Sequence, residues 1–403
     1  MVQRKIIVYY EQMGYGGVDT HLAHLINHWP NSDDKFIIVS NPDNEGLAFL
    51  KQQLKNPSVV IQVLEGVFNR AAKGSSKSAL VIAYFMIHLR FVRAFIKLIE
   101  EMSPDIILSN NGGYPGGITN WLAAIIAKQK EGTKNSTFIL VHHAPTSKIG
   151  GPFALYVGLL VRWIKYLGIP LITVSQASKS MLETNTLLTN LHVIYNGLEI
   201  KEPITEPYDF KREWNITQEK IIVGIIGPVD PHKGHATMLD VFRQSTELQE
   251  KAQLVVVGSG KKELVVELKK RAHAYGLDDS LTFTGFIPGD SHRIISWFDV
   301  LVMPTIDFEG FGYSMAEAMS AVIPVVASKV GAIPEVIVDG ESGFLLEPRD
   351  ISGWRVTLER MVQSSALRKQ IGIAGRQRIE DSFSAKKMGQ QYFNLLTNCE
   401  WNH

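Results

Sequence analysis

Short apolar runs alternate along the whole chain with longer stretches of helical periodicity. The runs predict strands near Ile6–Tyr9, Phe36–Val39, Val59–Val63, Ile106–Leu108, Phe138–Val141, Leu171–Val174 and His192–Ile194. A second set falls near Ile221–Ile226, Leu254–Val257, Leu281–Thr284, Val300–Met303, Pro324–Val326 and Phe344–Leu346. Strand followed by helix, repeated in this way, argues for an α/β chain with parallel sheets and crossover helices.

The alternation is interrupted by a polar stretch, Glu199 to Tyr208, where Pro203 and Pro207 act as breakers. This predicts a first domain at 1–200, a second at 201–380 and a closing segment at 381–403 with an amphipathic run from Phe383 to Leu396. The 403 residues, 45% of them hydrophobic, suffice for two cores. In open α/β sheets ligands bind at the carboxyl ends of the strands, so an interdomain cleft is the expected place for chemistry.

The most apolar long stretch runs from Ala79 to Leu89 and on to Ile99, interrupted by His88, Arg90, Arg93 and Lys97. It falls short of the roughly 18 uncharged residues of a membrane-spanning helix. Between Gly66 and Ile99 stand Arg70, Lys73, Lys77, Arg90, Arg93 and Lys97, with no acid. Two readings stay open: an interfacial helix on an anionic membrane, each cation contributing about 1 kcal/mol, or a domain helix with a solvated basic face.

Charge is nearly balanced at +1, which implies no strongly polyanionic partner such as nucleic acid. Residues 1–200 carry 18 Lys and Arg against 13 Asp and Glu, and the remainder 23 against 27, so the first half is the basic one. The single cysteine, Cys399, excludes a disulfide framework or Cys-based metal site within one copy and suits a reducing cytoplasm. The run Ile6–Tyr10 lacks a signal-peptide core and cleavage region and is expected to be mature sequence. A cytoplasmic location is expected, at the inner face of the membrane if the basic stretch is interfacial.

Candidate chemistry centres on Glu309-Gly310-Phe311-Gly312-Tyr313-Ser314-Met315-Ala316-Glu317, where the strand Val300–Met303 gives way to a helix starting near Tyr313 or Ser314. Gly310 and Gly312 permit a sharp turn whose amides suit a diphosphate at a helix mouth. Glu317 falls about two helical turns beyond Glu309, so both carboxylates are expected to face one cleft, where one accepts both hydroxyls of a ribose. A pair of acids at this spacing also arises by chance, and the bland alternative is a packing helix with incidental acids.

The neighbouring runs IIVGIIGPVDPHKGH, AQLVVVGSGKKEL, LTFTGFIPGD and GAIPEVIVDGESGFLLEPRD, in that order, closely resemble the second half of retaining glycosyltransferases of family four. GYGGVDTHLAHLINHW, HHAPTSKIG, VSQASKSML and VIYNGLEI extend the resemblance over nearly all of the first half. It implies the GT-B fold, two facing Rossmann-like domains with the last helix returning to the first. It also implies a nucleotide diphosphate sugar as donor, a carbohydrate or lipid-linked acceptor, and bacterial surface polysaccharide or glycolipid assembly.

Residue by residue, the resemblance assigns Lys233 and the Gly310 to Tyr313 amides, including Phe311 and Gly312, to the diphosphate, Glu309 to the transferred sugar and Glu317 to the ribose. Gly16 and Gly17 match the loop touching sugar and diphosphate, and His142, rather than His143, matches the histidine that reaches the sugar. Phe286 and Ile287 line the base pocket or, on the bland reading, pack in the core; Asn196-Gly197 is read as structural. One position departs from the family. An arginine commonly follows the strand glycine, and here Pro228 follows Gly227, removing a bidentate phosphate fork for which His232, Lys261 or Lys262 are the nearby substitutes.

Neither Gly14-Tyr15-Gly16-Gly17 nor Gly258-Ser259-Gly260 makes the dinucleotide fingerprint, and no Asp-x-Asp pair supplies metal ligands, so neither cofactor nor metal is expected. The implied reaction is front-face displacement without a protein nucleophile. Two rivals remain: a nucleotide-sugar epimerase on a similar scaffold, and a degenerate binding protein motivated by Pro228.

Overall fold

The computed structural model describes residues 3–11, 16–42, 44, 46–56, 58–64, 77–113, 118–130, 136–143, 152–202, 204 and 210–398. Gly14, Tyr15, Arg70, Lys73, Pro203, Pro207 and Cys399 lie outside the described residues. The chain divides into two compact units, 1–197 with 385–403, and 198–384.

The first unit holds strands β1 (Lys5–Tyr10), β2 (Lys35–Ser40), β3 (Val60–Val63), β4 (Ile106–Asn111), β5 (Ser136–Val141), β6 (Leu171–Thr173) and β7 (Leu191–Val193). They form a parallel sheet ordered β3-β2-β1-β4-β5-β6-β7, in which Val8 stands beside Ile38 on one side and Leu108 on the other. Helices on the faces of such a sheet bury its strands on both sides, which is why they read as continuous apolar runs. Tyr9, Phe91, Phe95, Ile99, Ile107 and Ala127 meet in the core.

The second unit holds β8 (Ile221–Ile226), β9 (Ala252–Val257), β10 (Leu281–Gly285), β11 (Val300–Met303), β12 (Val325–Ser328) and β13 (Phe344–Leu346). Their order, β10-β9-β8-β11-β12-β13, is again parallel and doubly wound. Val223, Val256, Val302, Phe242 and the fully buried Trp354 fill its core. Each such side chain contributes about 1.5–3 kcal/mol by leaving water. Both units thus have the Rossmann-like form of the GT-B fold.

β4 runs past the expected end at Leu108 because its polar residues find partners inside. Ser109 donates to the Asn120 carbonyl, and Asn110 pairs with His142. The helix Lys77–Met102 turns Phe91, Phe95, Leu98 and Ile99 into the first unit's core, while Arg90, Arg93 and Lys97 are exposed. Over these residues the apolar stripe is occupied by the protein itself, as in an ordinary domain helix. The helix Ala385–Asn398 belongs to the first unit and buries Met388, Tyr392 and Leu396 at four-residue spacing.

Candidate active site

In each sheet the strand order reverses between the third and fourth strands, β1 and β4 in the first unit and β8 and β11 in the second. At such a switch point the loops leaving the two strands diverge and open a crevice at their carboxyl ends.

In the second unit the crevice is bounded by residues 227–234 after β8 and 304–312 after β11. These loops are joined along their length. The Ile306 amide donates to the His232 carbonyl at 2.8 Å, the His232 imidazole meets the Asp307 carboxylate, and Lys233 Nζ donates to Glu309 Oε2 at 2.8 Å. Gly234 has φ +72°, and a Cβ there would stand 1.8 Å from the Pro304 carbonyl oxygen, so only glycine allows this approach. Gly331, at φ +53°, likewise leaves no room for a Cβ, which would lie 2.3 Å from the Glu309 carbonyl oxygen; the Ala332 amide donates to that same oxygen at 2.9 Å. Glu309 is thereby fixed by its backbone as well as its carboxylate. Its side chain is 11% exposed against 35% for Lys233, so the acid is the more enclosed partner.

Gly312 caps the helix Tyr313–Ser320, and Phe311 is buried with its ring edge on Tyr313. Glu317 sits one turn into this helix, half-buried, with surroundings distinct from those of Glu309. Burial pushes its carboxyl up to about 7; a Ser291 hydrogen bond opposes the rise, Asp290 reinforces it, and Lys201 opposes it. The two acids thus have different partners: Glu309 meets the β8 loop, and Glu317 meets the start of the helix Ser291–Ile295 beyond β10. Directly after β10, Phe286 is 67% exposed, which rules out core packing for this ring, while Ile287 is half-buried.

Pro228 is exposed at the β8 crevice edge. Of the suggested substitute cations, His232 is engaged by Asp307, and Lys261 and Lys262 stand exposed where the helix Lys262–Ala274 begins.

In the first unit Gly16 caps the helix Gly17–Asn27, and its amide donates to the buried Asp19 carboxylate at 2.8 Å. The Gly16 amide is thus spoken for, contrary to expectation; helix geometry leaves the exposed Gly17 and its successor as the open donors. Tyr10 donates to the other Asp19 oxygen. His142, just beyond β5, is 4% exposed, with Nε2 2.8 Å from Asn110 Oδ1. Burial holds its pKa well below 6.5, reinforced by His21 and His143, so the ring is neutral; the amide oxygen selects the tautomer that donates from Nε2. His143 is exposed, as strand alternation requires. Asn196 accepts from His21 Nδ1 at 2.8 Å and the Gly197 carbonyl meets His24, a tie within the first unit in keeping with a structural role.

Family models match both halves: Glycosyltransferase Family 4 over residues 15–202 and Glycosyl transferases group 1 over residues 208–378. The chain belongs to the family-four-like GT-B glycosyltransferases. An uncharacterised glycosyltransferase of Methanocaldococcus jannaschii is 25% identical over 56% of this chain, a match spanning 58% of that relative. The capsular polysaccharide biosynthesis glycosyltransferase CapM of Staphylococcus aureus is 21% identical over 74% of this chain and 78% of its own length. Among solved structures, Anabaena HepE in complex with UDP and glucose aligns at TM-score 0.76 and 20% identity, covering 98% of this chain and 100% of that one.

This glycosyltransferase-family chain also carries polar residues that its sequence motifs did not single out. Glu11, directly after β1, accepts from Thr119, which in turn accepts from Tyr9 at 3.1 Å. Burial pushes the Glu11 carboxyl up to about 7. An acid ending an apolar strand at a switch point was its available signal. His21, with its pKa lowered to about 4 by burial, gave none, because it lies inside an amphipathic helix. Among the described residues no group of three or more His, Cys, Asp or Glu is placed to hold a metal, and no helix is long and apolar enough to cross a membrane.

Proposed function

We propose that the protein is a retaining hexosyltransferase that moves a sugar from a nucleotide diphosphate sugar to an acceptor hydroxyl, without a metal, in polysaccharide or glycolipid assembly. The observation that carries the reading is the Lys233–Glu309 pair at the switch point of the second sheet. Lys233 supplies positive charge to the diphosphate as it leaves, and Glu309 accepts from hydroxyls of the sugar. Glu317, in its ionised form, accepts from the ribose, with Phe286 and Ile287 beside the base. The Gly310 to Tyr313 turn faces the phosphates. In the first unit Gly17 and its helix mouth, with Gly16 as its cap, attend the sugar phosphate, and the neutral His142 steadies the sugar. The sugar C1–O bond breaks with its electron pair going to the phosphate oxygen. That oxygen takes the acceptor proton as the new C1–O bond forms on the same face.

UDP-glucose is the first donor to test, since HepE was solved with UDP and glucose, and CapM's role in capsular polysaccharide biosynthesis supports a surface glycan as product. The test is a panel of nucleotide sugars read by thermal shift and nucleoside diphosphate release, with Lys233→Ala as control. Selective release that the variant loses supports the proposal; release that the variant retains defeats it. A second reading, donor binding without turnover, rests on Pro228, and predicts stabilisation by a donor with no release for any acceptor.

A further inference from the structure

The helix Pro152–Tyr166 is apolar on both sides. Val157, Leu160, Val161 and Ile164 face the first unit's interior, yet Leu155 (74% exposed), Leu159 (55%), Trp163 (47%) and Tyr166 (84%) stand in solvent. Exposed apolar area of this extent, several hundred Å² in order of magnitude, marks an interaction surface on a soluble domain. Across from it, Leu187 is 59% exposed at the end of the helix Gln176–Asn185, and a groove of ≈ 360 Å³ runs between the two, bounded by Leu155, Leu159, Arg162 and Leu187.

Charge identifies what covers it. Arg162 and Lys165 project from the same exposed face, and the sequence has no Asp or Glu between Glu131 and Glu183. The helix Ile118–Gln129 packs against Pro152–Tyr166 and also against Lys77–Met102, whose Arg90 and Arg93 are exposed, so cations continue along this layer. Apolar and aromatic side chains interleaved with cations match a bilayer interface, where rings and aliphatic chains enter the acyl boundary and cations meet lipid phosphates. A second copy of the chain is a poorer occupant, because a symmetric contact sets Arg162 and Lys165 against themselves. At 15 residues, about 22 Å by helical rise, the helix falls short of a bilayer core of about 30 Å and lies in its plane.

We infer that the exposed face of the helix Pro152–Tyr166 is a docking surface for an anionic lipid bilayer. The site differs from the interfacial reading left open for Gly66–Ile99, where Phe91, Phe95, Leu98 and Ile99 are buried in the core. Docking neither requires nor implies the donor chemistry proposed above. The test is flotation of the intact chain with phosphatidylcholine vesicles, with and without phosphatidylglycerol, at low and high salt. The chain is expected to float with anionic vesicles and to lose this in high salt. Arg162→Gln with Lys165→Gln should weaken partitioning roughly thirty-fold at low salt, from about five-fold per cation. Leu159→Ser with Trp163→Ser should weaken it by at least about tenfold. Unchanged thermal midpoints and donor binding in both variants confine the effect to the surface. Failure to float on anionic vesicles, or equal flotation of the variants, overturns the inference. So does self-association abolished by the same substitutions in a chain that does not float, which would assign the face to a second copy.

Discussion

Replacing Pro228 with arginine tests whether the β8 crevice holds a diphosphate. The amides on either side of this position are already engaged, Gly227 with the Val257 carbonyl and Val229 with the Ser259 carbonyl, each at 2.9 Å. Alternation along an extended backbone directs the intervening amide away from that partner, so proline breaks no bond of this ladder and arginine need make none. The side chain is exposed and has room. The substitution therefore adds a guanidinium at modest structural cost, about 0.4–1 kcal/mol from the lost rigidity of proline. A bidentate charge-assisted contact with phosphate contributes about 1.5–3 kcal/mol. Solvent screening at this exposed edge reduces it to about 1–2 kcal/mol, or about five- to thirty-fold in donor dissociation constant. Calorimetric titration of Pro228→Arg and the parent with UDP-glucose, or whichever donor the panel selects, measures it directly. Tighter binding with faster turnover marks the parent as a weakened enzyme, and tighter binding alone favours the binding-protein reading. A folded variant with unchanged or weaker affinity would refute the assignment of the diphosphate to this crevice.

Other expectations follow from neighbouring contacts. Gly234→Ala forces a Cβ against the Pro304 carbonyl at positive φ, a cost of about 1–3 kcal/mol, and should weaken donor binding in titration with Lys233 still present. Glu317 binds its proton more tightly in the folded chain than at its ordinary 4.5, so its stability contribution is present below that value and is lost as pH rises through about 7, by on the order of 1–3 kcal/mol. Relative to the parent, Glu317→Gln should accordingly melt higher at alkaline pH than at acid pH, and it should remove a rise in donor affinity as pH passes upward through neutrality. Glu309→Gln should weaken binding of intact donor more than of the nucleoside diphosphate, compared by competition titration.

Much of the fold was legible because buried parallel strands leave a simple trace. Ile221–Ile226 and Val300–Met303 are apolar runs whose bounds coincide with β8 and β11. The Lys233 and Glu309 loops were legible too, since each pairs a strand end with glycines. Side-chain partnership was the hidden part. His21 and Asn196 are 175 positions apart, and nothing in either neighbourhood announces their hydrogen bond. Asn110 reads as a loop residue until the adjacent strand delivers His142 to it, and the extension of β4 then follows. Hydrophobicity likewise disclosed amount rather than direction. The stretch through Ile99 and the helix Pro152–Tyr166 are both strongly apolar, yet the first turns its large side chains from Phe91 to Ile99 inward, while the second leaves leucines and aromatics outside. Periodicity places residues on faces of a helix; only the packed neighbours decide which face meets water.

The Lys233–Glu309 contact also bears on why an intact sugar donor should be favoured over its diphosphate product. A cation drawn toward phosphate gives up some of its hold on Glu309, whose side chain is only 11% exposed and cannot be rehydrated freely. Leaving an enclosed carboxylate without a partner costs about 1–3 kcal/mol or more. The sugar hydroxyls of an intact donor replace that partner at the moment Lys233 turns to the phosphates, whereas a nucleoside diphosphate offers no hydroxyl at this place. The pair therefore links recognition of the two ends of the bond to be broken. Neutralising Glu309 as glutamine removes the penalty for the product and the charge-assisted bonds for the sugar together, so the ratio of the two affinities must contract even if both change. A ratio that stays fixed would mean that Glu309 serves the loop and not the sugar, leaving Lys233 to act alone.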